Sequence, residues 1–193
     1  MKKTFYIYGS LVLLILLTLG VTFATFTDNA KFIGTTFSVA SSDIKLLDVI
    51  GGGTDPSNLV DNKAGPSFEN ITPEWFEDYV VQVYNNGTGP VNLTSTANYQ
   101  TADDPAELRQ IIFVEIFDWE DANADGIPQE SEYTSSSYGA KTIIKWNTVG
   151  FDLGVLPQGE VRTLLVRFST TSVSPTKQGA GMLFDFEFNA LGL

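Results

Sequence analysis

The sequence predicts an all-β protein, an antiparallel β-sandwich of the jelly-roll type with about seven or more strands, long loops and little helix. β-rich runs recur along the chain and are separated by clusters of glycine, proline and asparagine. In the last run, residues 183–188, phenylalanines alternate with acidic residues, which predicts a strand with one apolar face. Helical patterns are scarce. The one candidate is residues 105–110, with Asp104 as N-cap and a proline at the first helical position.

The predicted strands can be placed in order along the chain. The first lies within residues 37–49, and residues 51–65, rich in Gly, Asp, Asn and Pro, are a predicted surface loop. Residues 80–84 and 91–99 flank the turn cluster 85–90, which indicates either a hairpin or a closely linked strand pair. The other predicted strands are residues 111–117, 142–146, 161–169 and 182–188.

The N-terminus has the order of a secretory signal. A lysine pair precedes an apolar run over residues 5–21, and Thr22 and Ala24 then supply small residues three and one positions before the predicted cut. This order predicts a signal peptide over residues 1–24, cleavage between Ala24 and Thr25, and a secreted mature protein. The alternative is an uncleaved membrane anchor, because the run approaches the ~20 apolar residues that span a bilayer. A lipid anchor at the cut is excluded, since the chain contains no cysteine.

Composition limits the classes of function. The formal charge is -12, and removal of residues 1–24 takes away two lysines and no acid, which makes it -14. Such a charge repels nucleic acid and anionic lipid and favours cations, so we expect no nucleic-acid partner and only transient membrane contact through the signal segment. The remaining ~170 residues fit one domain that needs no disulfides. We expect an extended segment over residues 25–37 and the β-domain over residues 38–193.

Residues 121–132 match the calcium-loop pattern D-x-N-x-D-G-x5-E. The pattern offers only oxygen ligands, which suits a hard cation with flexible geometry and does not suit zinc. We therefore expect calcium as a cofactor of this loop. The alternative is an Asp/Asn/Gly-rich turn that binds no metal. The predicted ligands are the side chains of Asp121, Asn123, Asp125, Gln129 and Glu132 and the carbonyl of Ile127.

An enzymatic function is not expected. The chain has no histidine and no cysteine, which leaves carboxylate pairs such as Asp118 and Glu120 as candidates for glycoside hydrolysis. These two residues adjoin the predicted calcium loop, and cation binding explains them better. A competing non-enzymatic function is a monomeric, secreted, calcium-stabilised module that binds carbohydrate or another surface. Its stacking platform would be Trp75, Trp119 or Trp146.

Two stretches carry a family resemblance. Residues 71–87 contain I-T-P-E, then Y-V-V-Q-V-Y followed by N-N-G, and residues 179–188 contain a glycine, a leucine and alternating phenylalanines. They resemble the L-x-P-G-D segment, strand, N-N-G turn and closing strand of the TasA/camelysin family of exported fibre proteins. There are departures. Glu74 and Trp75 replace the usual Gly-Asp, and the lysine-rich insertions of the biofilm member are missing.

The resemblance implies a jelly-roll subunit that is exported through a dedicated signal peptidase and polymerises with copies of itself into extracellular filaments. In such relatives the N-terminal segment is donated as a strand to the next subunit. Here the donor would be residues 25–37, which could complete the open edge of a neighbouring sandwich by strand addition. The alternative is that this segment pairs as an edge strand within its own subunit. The donor side chains would be Phe26, Phe32, Ile33 and Phe37.

Overall fold

The computed structural model describes residues 42–66, 71–177 and 180–193. Within these ranges, no helix has the length and apolar character needed to cross a membrane. The predicted signal peptide, its cleavage site and the predicted donor segment lie outside the described residues. This applies to Ala24, Thr25, Phe26, Phe32, Ile33 and Phe37.

The described residues contain nine strands and one α-helix. The strands are β1 (Ile44–Leu47), β2 (Leu59–Val60), β3 (Phe76–Asn85), β4 (Val91–Tyr99), β5 (Ile112–Asp118), β6 (Ala140–Thr142), β7 (Phe151–Leu156), β8 (Val161–Thr170) and β9 (Phe184–Gly192). The helix is α1 (Ile143–Val149), and short 3-10 turns occupy Pro56–Asn58, Thr101–Asp103, Leu108–Gln110, Glu130–Glu132 and Pro175–Lys177.

The strands form two antiparallel sheets, which confirms the predicted β-sandwich. The larger sheet has six strands in the order β2-β1-β3-β8-β5-β6, and the smaller has three in the order β7-β4-β9. Alternation along β4 buries Val91, Leu93 and Ala97 in the core between the sheets. On the facing sheet, Leu164 and Phe168 of β8 belong to the same core. Because each sheet has one apolar face, burying both faces requires the two-layer arrangement.

The strand predicted over residues 142–146 is wrong, because α1 begins there. The β-branched residues favour a strand, but Ile143 and Trp146 are three positions apart and both fully buried, which suits one face of a helix. The side chain of Thr142 accepts a hydrogen bond from the Lys145 N–H at the N-terminus. Gly150 ends the helix with a φ of 70°. Packing and capping outweigh strand propensity here.

The α-helix predicted over residues 105–110 is also wrong. The structure has only the 3-10 turn Leu108–Gln110 in this segment. Asp104 does not start a helix at Pro105. Its buried carboxylate accepts the backbone N–H groups of Leu108 at 2.7 Å and Arg109 at 3.1 Å and pairs with the Arg109 guanidinium at 2.9 Å. Because the Asp104 carboxylate already bonds to the backbone of Leu108 and Arg109, it does not cap a helix that begins at Pro105.

The hairpin reading of residues 80–99 is wrong, whereas the closely linked strand pair is correct. β3 pairs with β1 and β8, and β4 pairs with β7 and β9, so consecutive strands lie in different sheets. Asn85 stabilises the connection by which the chain passes from β3 in one sheet to β4 in the other. Its buried side-chain amide donates to the carbonyls of Gly89 at 2.9 Å and Leu156 at 3.0 Å. Both edges of β3 already have partners, which excludes β4 as a neighbour.

Three strands were not predicted. β2 lies inside the predicted loop over residues 51–65, and β6 is three residues long. β7 reads F-D-L-G-V-L, with Gly154 at a φ of 79° and a register irregularity where it pairs with β4. These strands are too short or too irregular to produce an alternating pattern of useful length.

Candidate functional site

Among the described residues, the smaller sheet ends in a long open edge. β9 has nine residues and pairs along its whole length with β4, and no strand within the described ranges pairs with its other side. The other sheet edges are shorter. β2 has two residues, β6 has three, and β7 has six and is irregular. Short or irregular edges discourage pairing with another chain, whereas a long regular edge invites it.

A cleft of about 640 Å³ separates β9 from strands β1 and β3 of the larger sheet. Phe184, Phe186 and Phe188 project from β9 toward the core and are half-buried, while Asp185 and Glu187 between them are exposed. This confirms the alternation predicted for the strand. The opposite wall of the cleft contains Ile44, Tyr79 and Val81. The open edge of β9 therefore borders this cleft, which forms an apolar slot between the two sheets.

The phenylalanines of β9 are held by aromatic contacts with the core. Phe186 stacks on Trp146 with ring centroids 5.3 Å apart, and it meets the edges of Tyr79 at 6.1 Å and Phe188 at 6.0 Å. Phe184 lies 6.4 Å from the Trp146 ring. Stacked and edge-to-face pairs favour fixed ring orientations. The slot is thus already shaped before any further strand is added.

The segment after β2 forms the rim of the cleft. The Lys63 ammonium donates to the carbonyls of Leu47 at 3.0 Å and Asp48 at 2.6 Å. The Tyr79 hydroxyl donates to the carbonyl of Ala64 at 3.1 Å. Burial raises the pKa of Tyr79, so its hydroxyl keeps this proton throughout the neutral range. These bonds fasten the rim to strands β1 and β3.

The receiving side of this site was not predicted from the sequence. The predicted assembly residues all lie within residues 25–37, and the phenylalanines of β9 were predicted only to face the core. The alternating pattern identifies an apolar face, but the missing neighbour of β9 depends on strand order, which no local pattern encodes. No local signal in the sequence identified the receiving side.

The predicted calcium loop is a tight acidic turn. The Asp121 carboxylate accepts the backbone N–H groups of Asp125 at 3.1 Å and Gly126 at 2.9 Å, and Asn123 Oδ1 accepts the Asp125 N–H at 2.9 Å. Side-chain amides of Asn123 and Gln129 donate to Asp125 Oδ2, both at 2.9 Å. The side chains of Asp121, Asn123, Asp125 and Gln129 are therefore gathered within one turn, with Ile127 exposed beside them.

The last predicted ligand, Glu132, lies apart from that turn and is 5% exposed. Its Oε2 atom accepts the Trp119 indole N–H at 3.1 Å and the Gln129 N–H at 3.3 Å. In the described part of the chain, no three acidic side chains are spaced to hold a metal ion between them. Amide and main-chain oxygens supply half of the predicted ligands, so the pattern does not require three clustered carboxylates.

The loop is fastened to the outer face of the larger sheet. The backbone N–H of Trp119 donates to the carbonyl of Thr163 in β8 at 3.1 Å. The Tyr133 ring stacks on Phe117 with centroids 4.7 Å apart, and its hydroxyl accepts from Arg167 at 2.6 Å. The hydrogen bond to Asp78 raises the pKa of Arg167 despite burial, so its guanidinium stays charged. Both ends of the loop therefore contact β8 or its neighbours.

Asp118, one of the two carboxylates considered for hydrolysis, belongs to a structural ion pair. It accepts from Arg162 at 2.6 Å and 2.9 Å and from the Tyr138 hydroxyl at 2.8 Å. Burial opposes ionisation, but these hydrogen bonds outweigh it and hold the pKa of Asp118 below its usual value. A general acid in glycoside hydrolysis needs the opposite shift. Burial and the bond to Asp118 raise the pKa of Tyr138 to about 12.

Two of the three tryptophans predicted for a stacking platform are buried. Trp146 is fully buried and Trp119 is 5% exposed, so neither ring is available to a sugar. The Trp146 indole N–H donates to Ser95 Oγ at 3.2 Å within the core. Trp75 is half-buried and packs against the core. Of the three tryptophans predicted for a stacking platform, only Trp75 is therefore not buried.

Comparison with known proteins gives no assignment. No family model matches the sequence, and no curated protein matches it. The resemblance to the TasA/camelysin family therefore remains a prediction from the motifs of residues 71–87 and 179–188.

Proposed function

We propose that this protein is a secreted structural subunit of an extracellular filament, assembled by donation of a β-strand from one copy to the next. The open edge of β9, with the apolar cleft beside it, is the observation that carries the proposal. The donor is residues 25–37, and the partner is a second copy of the same chain. The TasA/camelysin resemblance points to the same arrangement.

Backbone chemistry supports strand addition at β9. A nine-residue edge presents a row of N–H and C=O groups that a neighbouring strand can pair with. The segment 25–37 is long enough to pair with the whole edge. Its side chains would enter the slot formed by Phe184, Phe186 and Phe188 and by the opposite sheet. Main-chain pairing would give affinity, and the slot would give register.

The donor sequence has two different apolar faces. In a strand, alternate residues point to the same side, so Phe26 and Phe32 share one face and Ile33 and Phe37 share the other. Phe26 and Phe32 would be about 20 Å apart. Only one of these pairs can face the slot in any one register. If the proposal is correct, the substitutions in residues 25–37 that weaken assembly should fall at every second residue.

Cysteine cross-linking tests the donation directly, because the chain has no cysteine of its own. One variant carries Glu187→Cys on the exposed side of β9. Separate variants carry Thr27→Cys, Asn29→Cys or Lys31→Cys. Donation predicts that, when the β9 variant is mixed with the donor variant in the correct register and oxidised, disulfide-linked dimers of two different chains form. Tagging one chain identifies these dimers on a non-reducing gel.

The control carries both cysteines in one chain and is oxidised at high dilution. If it forms an internal disulfide and remains monomeric, while no pair of single variants cross-links, the segment is an edge strand of its own subunit. A truncated chain starting at Ser38 supplies a second check. It should form no filaments in negative-stain microscopy, and an added peptide of residues 25–37 should raise its melting temperature. Normal filaments from the truncated chain would overturn the proposal.

Substitution in the donor gives a graded version of the same test. Because a buried phenylalanine contributes about 3–5 kcal/mol to its contacts, Phe32→Ala should raise the critical concentration for polymerisation strongly if its face enters the slot. Ile33→Ala on the other face is the matched control and should then have little effect. If neither face or both faces respond equally, a regularly paired strand is the wrong description.

Secretion is the remaining part of the proposal. The mature protein should begin at Thr25, because small residues precede that position after the apolar run. N-terminal sequencing of protein from the culture medium measures this. An intact N-terminus recovered only from membranes would favour the anchor alternative.

A further inference from the structure

We propose that residues 121–132 bind one calcium ion and that the buried carboxylate of Glu132 is one of its ligands. This inference goes beyond the filament function and does not depend on it, because the site lies on the outer face of the larger sheet. It also assigns Trp119 as a reporter of the bound ion, through its hydrogen bond to Glu132.

A buried atom without a partner points to a ligand at Glu132. The side chain is 5% exposed, and its Oε1 atom is buried with no hydrogen-bond partner among the described residues. None of the ion pairs in the same part of the chain involves it. Buried carboxylate oxygens are nearly always paired. A cation at Oε1 would satisfy the atom and the charge together.

The surrounding donors define the chemical class of the ligand. Asp121, Asn123, Asp125 and Gln129 offer carboxylate and amide oxygens, and no nitrogen or sulfur ligand stands in the loop. Calcium accepts six to eight such oxygens at flexible geometry, whereas magnesium requires near-ideal octahedral geometry and zinc prefers nitrogen or sulfur. An irregular set spread over one loop therefore suits calcium.

Gln129 connects the two parts of the site. Its side-chain amide donates to Asp125 Oδ2 at 2.9 Å, and its backbone N–H donates to Glu132 Oε2 at 3.3 Å. The amides of Asn123 and Gln129 both present nitrogen to Asp125. Rotating each amide by half a turn presents its oxygen in place of nitrogen. The loop can thus change from an internally bonded turn to a ring of oxygen ligands by side-chain rotation.

Calorimetric titration of the mature protein with calcium chloride tests the proposal. We expect one ion per chain, with a dissociation constant of about 10⁻⁴–10⁻³ M, the range of extracellular calcium modules. Glu132→Gln and Asp125→Asn keep the side-chain size and remove charge. Loss of a residue that only supports a metal ligand costs about 10–100-fold in affinity, so each substitution should cost at least that much.

Glu130→Gln is the matched control. It removes one negative charge from an exposed side chain in the same turn, two residues from Glu132. Calcium affinity should change by less than about threefold in this variant, because exposed charges interact weakly. If Glu130→Gln abolishes binding and Glu132→Gln does not, the assignment of Glu132 is wrong. Equal small effects of both would indicate general charge attraction and would also overturn the site.

Two further measurements keep the test decisive if Glu132→Gln folds poorly. Calcium at a hundred times its dissociation constant should raise the melting temperature of the wild type by about 5–10 °C, and Asp125→Asn, in the exposed part of the loop, should lose this shift. Calcium should also change tryptophan fluorescence. Trp119→Phe should remove that change while calorimetry still detects binding. No heat of binding and no melting shift in the wild type would refute the proposal.

Discussion

Replacement of Trp146 by alanine should lower the free energy of unfolding by about 3–5 kcal/mol, the usual cost of deleting a fully buried large aromatic side chain. Trp146 is 0% exposed and contacts rings from three strands: Phe151 of β7, Phe168 of β8, and Phe184 and Phe186 of β9. Its loss would leave a large cavity between the two sheets. Urea denaturation followed by circular dichroism measures the change.

Two substitutions separate the causes of this effect. Ser95→Ala removes only the acceptor of the Trp146 indole N–H and should cost about 1–3 kcal/mol, the penalty of a buried donor left without a partner. Val149→Ala, on the same helix but 75% exposed, should change the free energy of unfolding by less than about 0.5 kcal/mol. If Val149→Ala costs as much as Trp146→Ala, burial in the core does not explain the loss, because alanine has the higher helix propensity of the two residues at position 149.

The Trp146 variant should also impair filament assembly. Phe186 rests on the Trp146 ring, so removing that ring leaves the cleft wall on β9 without its support. If stability falls as expected but the critical concentration for polymerisation is unchanged, the cleft does not take part in assembly.

Replacement of Arg162 by methionine should lower the free energy of unfolding by about 3 kcal/mol, the lower end of the range for a broken buried ion pair. The side chains of Arg162 and Asp118 are 19% and 20% exposed. Arg162 also donates to the carbonyl of Leu153 in β7 and to the Tyr138 hydroxyl. The guanidinium therefore joins the larger sheet to the smaller, and methionine leaves the Asp118 charge without a counterion.

A double variant identifies the cause. Adding Asp118→Asn to Arg162→Met removes the uncompensated charge, so the double variant should be more stable than Arg162→Met alone, although both single substitutions destabilise. Additive losses would mean that packing of the long side chain, and not the ion pair, is responsible. Arg162→Lys is a weaker substitution, because an ammonium cannot reproduce the forked contact with Asp118.

The ion pair between Arg162 and Asp118 also contributes to the pH dependence of stability. The folded state lowers the pKa of Asp118 below its unfolded value of 3.8, so its contribution is fully present above about pH 4 and is lost as pH falls through the folded pKa. Arg162→Met removes the hydrogen bonds and the charge of Arg162, which lower this pKa, while the hydrogen bonds from Tyr138 and Ser135 remain and burial, which raises it, is less strongly opposed. The stability of the variant should therefore begin to fall at a higher pH than that of the wild type. Identical acid denaturation curves would contradict this assignment.

Local patterns were sufficient for the strands that lie in the middle of each sheet. The runs 80–84, 91–99, 111–117 and 161–169 correspond to β3, β4, β5 and β8, because each has a long apolar face that must be buried. The pattern of residues 182–188 likewise gave the inward face of β9 correctly. The calcium-loop pattern is also local, since its predicted ligands lie within the twelve consecutive residues 121–132.

Tertiary structure decided the features that depend on neighbours distant in sequence. Residues 142–146 have strand propensity, but a helix buries both Ile143 and Trp146 on one face. The energy gained by packing these two side chains exceeds the difference between strand and helix propensity. Among the described strands, β9 has an open edge because it stands last in the order β7-β4-β9. Glu132 is buried with its Oε2 atom bonded to the Trp119 indole N–H and its Oε1 atom without a partner among the described residues, which depends on how the two ends of the loop come together. Each is set by long-range pairing, which a periodicity along the chain does not record.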